Sequence, residues 1–152
     1  MGIFSRLNRV IKSNLNALID QAEDPEKMIG QTVADMKSAL GRARSELVQA
    51  MGTAKRLENE AGELTTEAAD WERKAVLALE QDDEDLAREA LRRKARALAE
   101  AERARSRVAE QERAADAMKE QLSRLEVKLD DLKARQKSLA AQVRQARSQP
   151  SV

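Results

Sequence analysis

The chain has 152 residues and a formal net charge of only +1, because 28 lysines and arginines balance 27 aspartates and glutamates. It contains no cysteine or histidine and a single tryptophan and phenylalanine, which excludes disulfides and removes the commonest metal ligand and general base. A chain this rich in alanine and charge is typical of long helices and coiled coils rather than of a compact globular core.

Residues 1–22 form an amphipathic segment. On a helical wheel its large apolar residues fall within an arc of roughly 140°. They are Ile3, Phe4, Leu7, Val10, Ile11, Leu15 and Leu18. Arg6, Arg9 and Lys12 lie outside that arc, and no acidic residue precedes Asp20. A helix on anionic lipid needs such one-sided charge, so we predict membrane binding through this segment. In the alternative, the helix folds back on the base of its own hairpin.

The segment is too interrupted to be a secretory signal or a membrane span. It lacks the continuous apolar run of about 7–15 residues found in a secretory signal. No window of the chain approaches the ~20 apolar residues of a membrane span. We therefore expect a cytoplasmic protein that attaches peripherally to the inner face of the plasma membrane.

A new helix is predicted to start at Asp24-Pro25. Aspartate accepts hydrogen bonds from free amides at a helix start, and proline suits the first helical position. Because the break separates the first segment from the next helix, we predict a hinge at Asp24 and Pro25 that lets the first helix leave the hairpin and meet lipid.

Two long apolar seams run through residues 23–147. Alternate steps of four and three define both seams, as in a coiled coil. The first seam is Ile29, Val33, Met36, Leu40, Ala43, Leu47, Ala50, Ala54, Leu57, Ala61, Leu64, Ala68, Trp71, Ala75 and Ala78. The second is Ala87, Ala90, Lys94, Ala97, Ala101, Ala104, Val108, Gln111, Ala115, Met118, Leu122, Leu125, Leu129, Leu132, Gln136, Leu139, Val143 and Ala146.

The acidic stretch between the seams predicts a turn near 80–85, where Asp82 or Asp83 can cap a new helix. If the chain folds back there, antiparallel partners have numbers that sum to about 165, and the two seams face each other along the whole first helix. The predicted fold is therefore all-α: an N-terminal amphipathic helix followed by a long antiparallel coiled-coil hairpin over 23–147. Residues 148–152 are expected to form a disordered tail.

Two features of the seams leave alternatives open. Trp71 either packs against small neighbours or marks a contact for a partner near the turn. Leu139, Val143 and Ala146 lie beyond the start of the first long helix. We expect the N-terminal segment, a neighbouring subunit or a further part of the protein to cover them.

Charge is distributed unevenly along the hairpin. The turn is acidic, whereas the stretch after Asp131 has five cations and no acid and suits a phosphate-rich surface. Nucleic acid is not the expected partner, because no aromatic residues accompany these cations. The chain has no glycine-rich phosphate loop and no nucleophile motif, so we expect no enzymatic activity, metal or cofactor.

Four stretches resemble the phage shock protein A family, which includes the vesicle-inducing protein of plastids and is related to ESCRT-III membrane-remodelling proteins. The stretches are MGIFSRL, NALIDQAEDPEKM, Trp71-Glu72-Arg73-Lys74-Ala75 and Glu84-Asp85-Leu86-Ala87-Arg88, followed by Ala90-Leu91. They occur in the family's order and spacing over nearly the whole chain.

The resemblance implies a helix that binds stressed anionic membrane, and assembly into rings, rods or coats. It assigns the membrane role to Ile3, Phe4, Arg6, Leu7, Arg9, Val10, Ile11 and Lys12, and a hairpin-tip motif to Glu84, Asp85, Leu86, Ala87 and Arg88. In some members the hairpin also inhibits an AAA+ transcription activator, so a regulatory adaptor is the alternative function. Family members usually continue with further short helices, so we expect this chain to be a truncated or naturally short form.

Overall fold

The computed structural model describes residues 2–148, which form four α-helices and no β-strand. Helix α1 spans Ile3–Lys12, α2 spans Leu15–Asp20, α3 spans Pro25–Glu80 and α4 spans Glu84–Ser148. The two long helices, α3 and α4, pack against each other, which confirms the predicted all-α fold with a helical hairpin. Ser148 ends α4, and the rest of the tail predicted at 148–152 lies outside the described residues.

The predicted seams are the inner faces of the two long helices. Every seam position of α3 is buried or half-buried, and so is every seam position of α4 except Ala146, which is exposed. The three polar seam residues, Lys94, Gln111 and Gln136, are half-buried. The 4-3 spacing therefore identifies the packed face of both helices, because a heptad repeat keeps one stripe of side chains turned towards the partner helix.

The described chain divides into two compact units. The terminal unit comprises residues 2–47 and 116–148, and the turn unit comprises residues 48–115. Buried seam residues of the terminal unit are mostly large, with Ile29 and Leu125 fully buried. Buried residues of the turn unit are all alanine. Since packed helices approach each other according to the size of the side chains at the contact, the seam of the turn unit is narrow.

Contacts within the turn unit show which residues of the two helices face each other. The ammonium of Lys94 donates to the Glu72 carboxylate at 3.2 Å, and the guanidinium of Arg93 lies 5.0 Å from the centroid of the Trp71 ring. The residue numbers in these pairs sum to 166 and 164, against the predicted 165. Alignments one heptad apart would all bring the two seams together, and the short connection between Glu80 and Glu84 selects this one.

The turn combines a helix end with a helix start. Asp82 has a positive φ of 57°, and its amide donates to the carbonyl of Leu79, while the amide of Asp83 donates to that of Ala78 at 2.9 Å. These are the two hydrogen bonds of a Schellman motif, in which glycine is the usual residue at the left-handed position. The Asp83 carboxylate then accepts from the amide of Leu86 at 3.1 Å and caps α4.

Replacing Asp82 by glycine is expected to stabilise the protein, because glycine adopts a positive φ without a steric penalty. We predict that Asp82→Gly raises the free energy of unfolding by about 0.5–1 kcal/mol, measured by urea denaturation followed by circular dichroism. The control, Asp85→Gly, makes the same change of charge inside α4 and should lower it by about 1 kcal/mol. Equal effects of the two substitutions would contradict this account of the turn.

Candidate functional site

The N-terminal segment is two short helices rather than the single helix predicted from the wheel. Ser13 ends α1, and the side chain of Asn14 accepts a hydrogen bond from the amide of Ala17 at 3.2 Å and so caps α2. Asparagine at this position competes for the backbone groups that a continuous helix would need. The break changes the direction of the chain at Asn14, so the wheel describes residues 3–12 better than residues 15–20.

Most of the predicted apolar face packs against the hairpin. Leu7 is 1% exposed and belongs to a cluster with seam residues of α3 and α4. Five further residues of this face are half-buried against the cluster: Ile3, Phe4, Val10, Ile11 and Leu15. The structure therefore shows the alternative arrangement, in which the helix folds back on the base of its own hairpin.

Leu18 and Ile19 exchange the positions that the wheel predicts for them. Leu18 is 47% exposed, whereas Ile19 lies just outside the predicted arc and is 1% exposed within the cluster. The helix break causes this exchange, because α2 has its own direction and presents a different side to the hairpin. The signal for it in the sequence is Asn14, the one polar residue within the apolar arc.

The three cations of α1 lie outside its apolar face, although Arg6 lines the groove between α1 and the hairpin, as does Asp35 of α3. Arg6, Arg9 and Lys12 are all exposed, and none forms an ion pair with a carboxylate among residues 2–148. Arg9 and Lys12 lie in the last turn of α1, where the helix dipole favours positive charge. All charged residues of α1 are thus exposed cations.

Two cations of α4 hold the segment in place: Lys128, which no pattern in the sequence singles out, and Arg135, which belongs to the basic stretch after Asp131. The ammonium of Lys128 donates to the carbonyl oxygens of Val10 and Ser13, each at 2.8 Å. The guanidinium of Arg135 donates to the side-chain oxygen of Asn16 at 2.7 Å and pairs with the Asp20 carboxylate. Burial lowers the pKa of Lys128 below its ordinary value. A backbone carbonyl leaves no signature in the sequence, so these contacts could not be predicted.

The packing of α1 on the hairpin is incomplete. A groove of about 380 Å³ remains there, with Ile3 and Leu7 of α1 and Met36 and Leu125 of the hairpin among its lining residues. Fully packed interiors contain few voids larger than a water molecule. The contact between α1 and the hairpin is therefore looser than the seam itself.

The predicted hinge lies in the connection between α2 and α3. The Asp24 carboxylate accepts from the amide of Lys27 at 3.2 Å, and Pro25 is the first residue of α3. Both features match the helix start expected from the sequence, and residues 21–24 are outside any helix.

The seam residues beyond the start of α3 are covered in part by the same chain. Leu139 packs against the terminal cluster, and Val143 is half-buried.

The tip residues of the turn unit form a second candidate surface. The ammonium of Lys74 lies 4.3 Å from the centroid of the Trp71 ring, which Arg93 also contacts. Trp71 lines an open groove of about 680 Å³ together with Leu77 and Leu86, which are 59% and 57% exposed. Hydrogen bonding to Arg93 lowers the pKa of Glu89 in the same groove.

The predicted tip motif divides between packing and exposure. Ala87 is buried in the seam, whereas Asp85 and Leu86 are exposed, and the Glu84 carboxylate pairs with Arg88 at 3.7 Å. Leu86 is thus the member of the motif that exposes apolar surface. None of the helices in the described part of the chain is long and apolar enough to cross a bilayer.

The family model described as the PspA/IM30 family matches residues 2–152, so the chain belongs to that family. The class is that of helical hairpin proteins with an amphipathic N-terminal segment, as the fold and the site indicate.

Individual relatives cover nearly the whole chain. A phage shock protein A homolog of Deinococcus radiodurans is 42% identical over 97% of this chain and 66% of its own length. The membrane-associated protein Vipp1 of Nostoc punctiforme is 36% identical over 98% of this chain and 58% of its own length. The protein LiaH of Bacillus subtilis is 28% identical over 96% of this chain. The chain spans between 58% and 66% of the length of these curated relatives.

Proposed function

We propose that this protein binds anionic, packing-defective membrane peripherally through α1 and assembles there to maintain the bilayer under stress. The observation that carries the proposal is that α1 has one apolar side and that all of its charged residues are exposed cations. Packing on the hairpin accounts for the apolar side alone. Exposed cations without a single acid add nothing to that packing, but they favour an anionic lipid surface.

The length of α1 supports a helix that depends on a surface. It has ten residues, and isolated helices shorter than about 12–15 residues are marginal in water. The helix therefore needs an apolar surface to persist, and the hairpin and the bilayer both provide one. Each fully buried large apolar side chain contributes about 1.5–3 kcal/mol, and each cation at an anionic surface about 1 kcal/mol. Both surfaces can hold α1 reversibly.

Membrane binding by this route requires α1 to leave the hairpin. Leu7 is almost completely buried in the docked position, so it cannot contact the hydrocarbon region at the same time. The connection at residues 21–24, with the cap of Asp24 and with Pro25 at the start of α3, preserves α3 while the preceding segment moves. We assign the hinge to this connection, because α3 keeps its own cap whether or not α1 and α2 are docked.

The similar proteins support the same function. The relatives include a phage shock protein A homolog and a protein named membrane-associated. We place this protein in the same role, on the inner face of the plasma membrane and without enzymatic activity. Attachment is expected to strengthen on assembly, because several α1 helices held together bind with a high effective concentration.

Substitution of Phe4 by glutamate is expected to weaken membrane binding. The change removes one large apolar side chain and adds an acid to a cationic helix, so we predict at least a tenfold loss of affinity for anionic vesicles in co-sedimentation. Removal of residues 2–19 should have a larger effect. The control is Val127→Glu, which makes the same change of charge at a 60% exposed position outside α1. Unchanged binding of the Phe4 variant would contradict the proposal.

The turn unit supplies the surface that we propose for assembly. Large exposed apolar residues are concentrated around the turn; they are Val76, Leu77, Leu79, Leu86, Leu91 and Leu98. Leu77 and Leu86 line the groove at Trp71 together, and an exposed apolar groove of this kind is typical of a protein contact. The adaptor function implied by the resemblance would use the same surface for an AAA+ activator, and no contact within the turn unit singles out that partner.

A charge at Leu86, in the groove at Trp71, is expected to disrupt assembly. We predict that Leu86→Lys shifts the protein to smaller species in sedimentation velocity, because a lysine would have to be desolvated in the contact. Val48→Lys provides the matched control, since Val48 is 68% exposed and does not line the groove at Trp71. If both variants assemble like the wild type, the turn surface is not an assembly contact.

A further inference from the structure

Two cations on α4 contact the N-terminal segment from one side of the helix. Lys128 and Arg135 are seven residues apart, which is about two helical turns, so they lie on the same face of α4. Lys128 donates to the carbonyl oxygens of Val10 and Ser13. Arg135 contacts the other short helix, through the side-chain oxygen of Asn16 and the carboxylate of Asp20.

The acceptors used by Lys128 are two carbonyl groups at the end of α1. That of Val10 also accepts from the amide and the hydroxyl of Ser13, and the other belongs to Ser13, the residue that follows the helix. The last carbonyls of a helix have no partner within the helix, and the helix dipole makes this end partly negative. A lysine ammonium at this position therefore stabilises α1 as a helix as well as its contact with α4. It does so where α1 ends and the connection to α2 begins.

The contact between Lys128 and α1 forms at a partly dehydrated position. Lys128 is half-buried in the docked structure, and this burial removes water from the ammonium and lowers its pKa. The two carbonyl oxygens at 2.8 Å replace that water. When the segment leaves, the carbonyls and the ammonium return to water, and the short helix loses the cation at its end. The docked and released states thus differ in the hydrogen bonds of Lys128, so a substitution of this one side chain can change the balance between them.

We propose that Lys128 and Arg135 form a latch that holds α1 and α2 on the hairpin and thereby limits the access of α1 to membrane. The proposal rests on the proposed function, because it concerns the regulation of the same helix. Its distinctive consequence is a reversal of sign. Removal of a cation ordinarily weakens binding to an anionic surface, whereas removal of a latch cation favours the released form of α1 that binds it.

The test compares two double variants of equal charge in the full chain. The latch variant combines Lys128→Met with Arg135→Met, which keeps apolar stems in place of the charged groups. The control variant combines Lys133→Met with Lys137→Met, two exposed cations on α4 that make no hydrogen bond to α1 or α2 in the described structure. Both variants lose two positive charges. Far-UV circular dichroism establishes that the hairpin remains folded in each.

Two measurements follow. In the absence of lipid, hydrogen exchange at the amides of residues 5–12 should be about tenfold faster in the latch variant and unchanged in the control variant. With anionic vesicles of phosphatidylglycerol and phosphatidylcholine, the latch variant should bind at least threefold more tightly than both the wild type and the control variant. Equal exchange in the two variants, or equal vesicle binding, would overturn the latch.

A second set of variants leaves the hairpin unchanged. Asn16→Ala combined with Asp20→Ala removes the side-chain acceptors of Arg135 from α2, and the same amides should then exchange several-fold faster than in the wild type. Unchanged exchange would again count against the latch. Failure of the latch differs from failure of the proposed function: in the first case Phe4→Glu still weakens vesicle binding, and in the second it does not.

Discussion

The apolar cluster of the terminal unit is the interaction on which the rest of this structure depends. Leu7 and Ile19 of the short helices pack there among large seam residues of α3 and α4, such as Ile29 and Leu125. The cluster closes the seam in this unit and offers α1 the apolar surface that a ten-residue helix needs. The proposed function follows from the same constraint, because a bilayer offers α1 a surface of the same kind.

The two units use the same seam with different side chains, and their exposed surfaces differ accordingly. Large aliphatic residues in the terminal unit bury enough apolar area to hold additional short helices as well as the hairpin. The alanines of the turn unit bury little area, while leucines such as Leu77 and Leu86 lie outside the seam and remain exposed. The unit with the larger core thus carries the proposed lipid contact, and the unit with the smaller core carries the proposed protein contact.

The hairpin can be predicted from the sequence because the apolar spacing that specifies it is repeated along the chain. The 4-3 spacing recurs through both seams, so one polar residue such as Lys94 does not obscure the phase. The turn can also be predicted from the sequence, since Asp83 caps α4 as expected from the acidic stretch. The side of α1 that carries Leu7 was also identified, although the sequence left open whether it faces the hairpin or lipid.

The remainder of the site depends on individual contacts, such as one helix cap and hydrogen bonds to backbone carbonyls. A periodic sequence pattern gives no information about these. The cap at Asn14 divides the segment and exchanges the exposure of Leu18 and Ile19, which a continuous wheel cannot anticipate. The contacts of Lys128 use backbone carbonyls, and every residue has one. Side chains that bind backbone atoms far away along the chain are therefore visible only once the chain is folded.

The most direct measurement of the central claim is the distance between α1 and α4 with and without membrane. The chain has no cysteine, so nitroxide labels at Arg9→Cys and Asp131→Cys would be the only ones present, and both positions are exposed. Double electron–electron resonance should give one short, narrow distance distribution in solution and a longer, broader one on anionic vesicles. An unchanged distribution in protein that co-sediments with the vesicles would contradict the release of α1 from the hairpin.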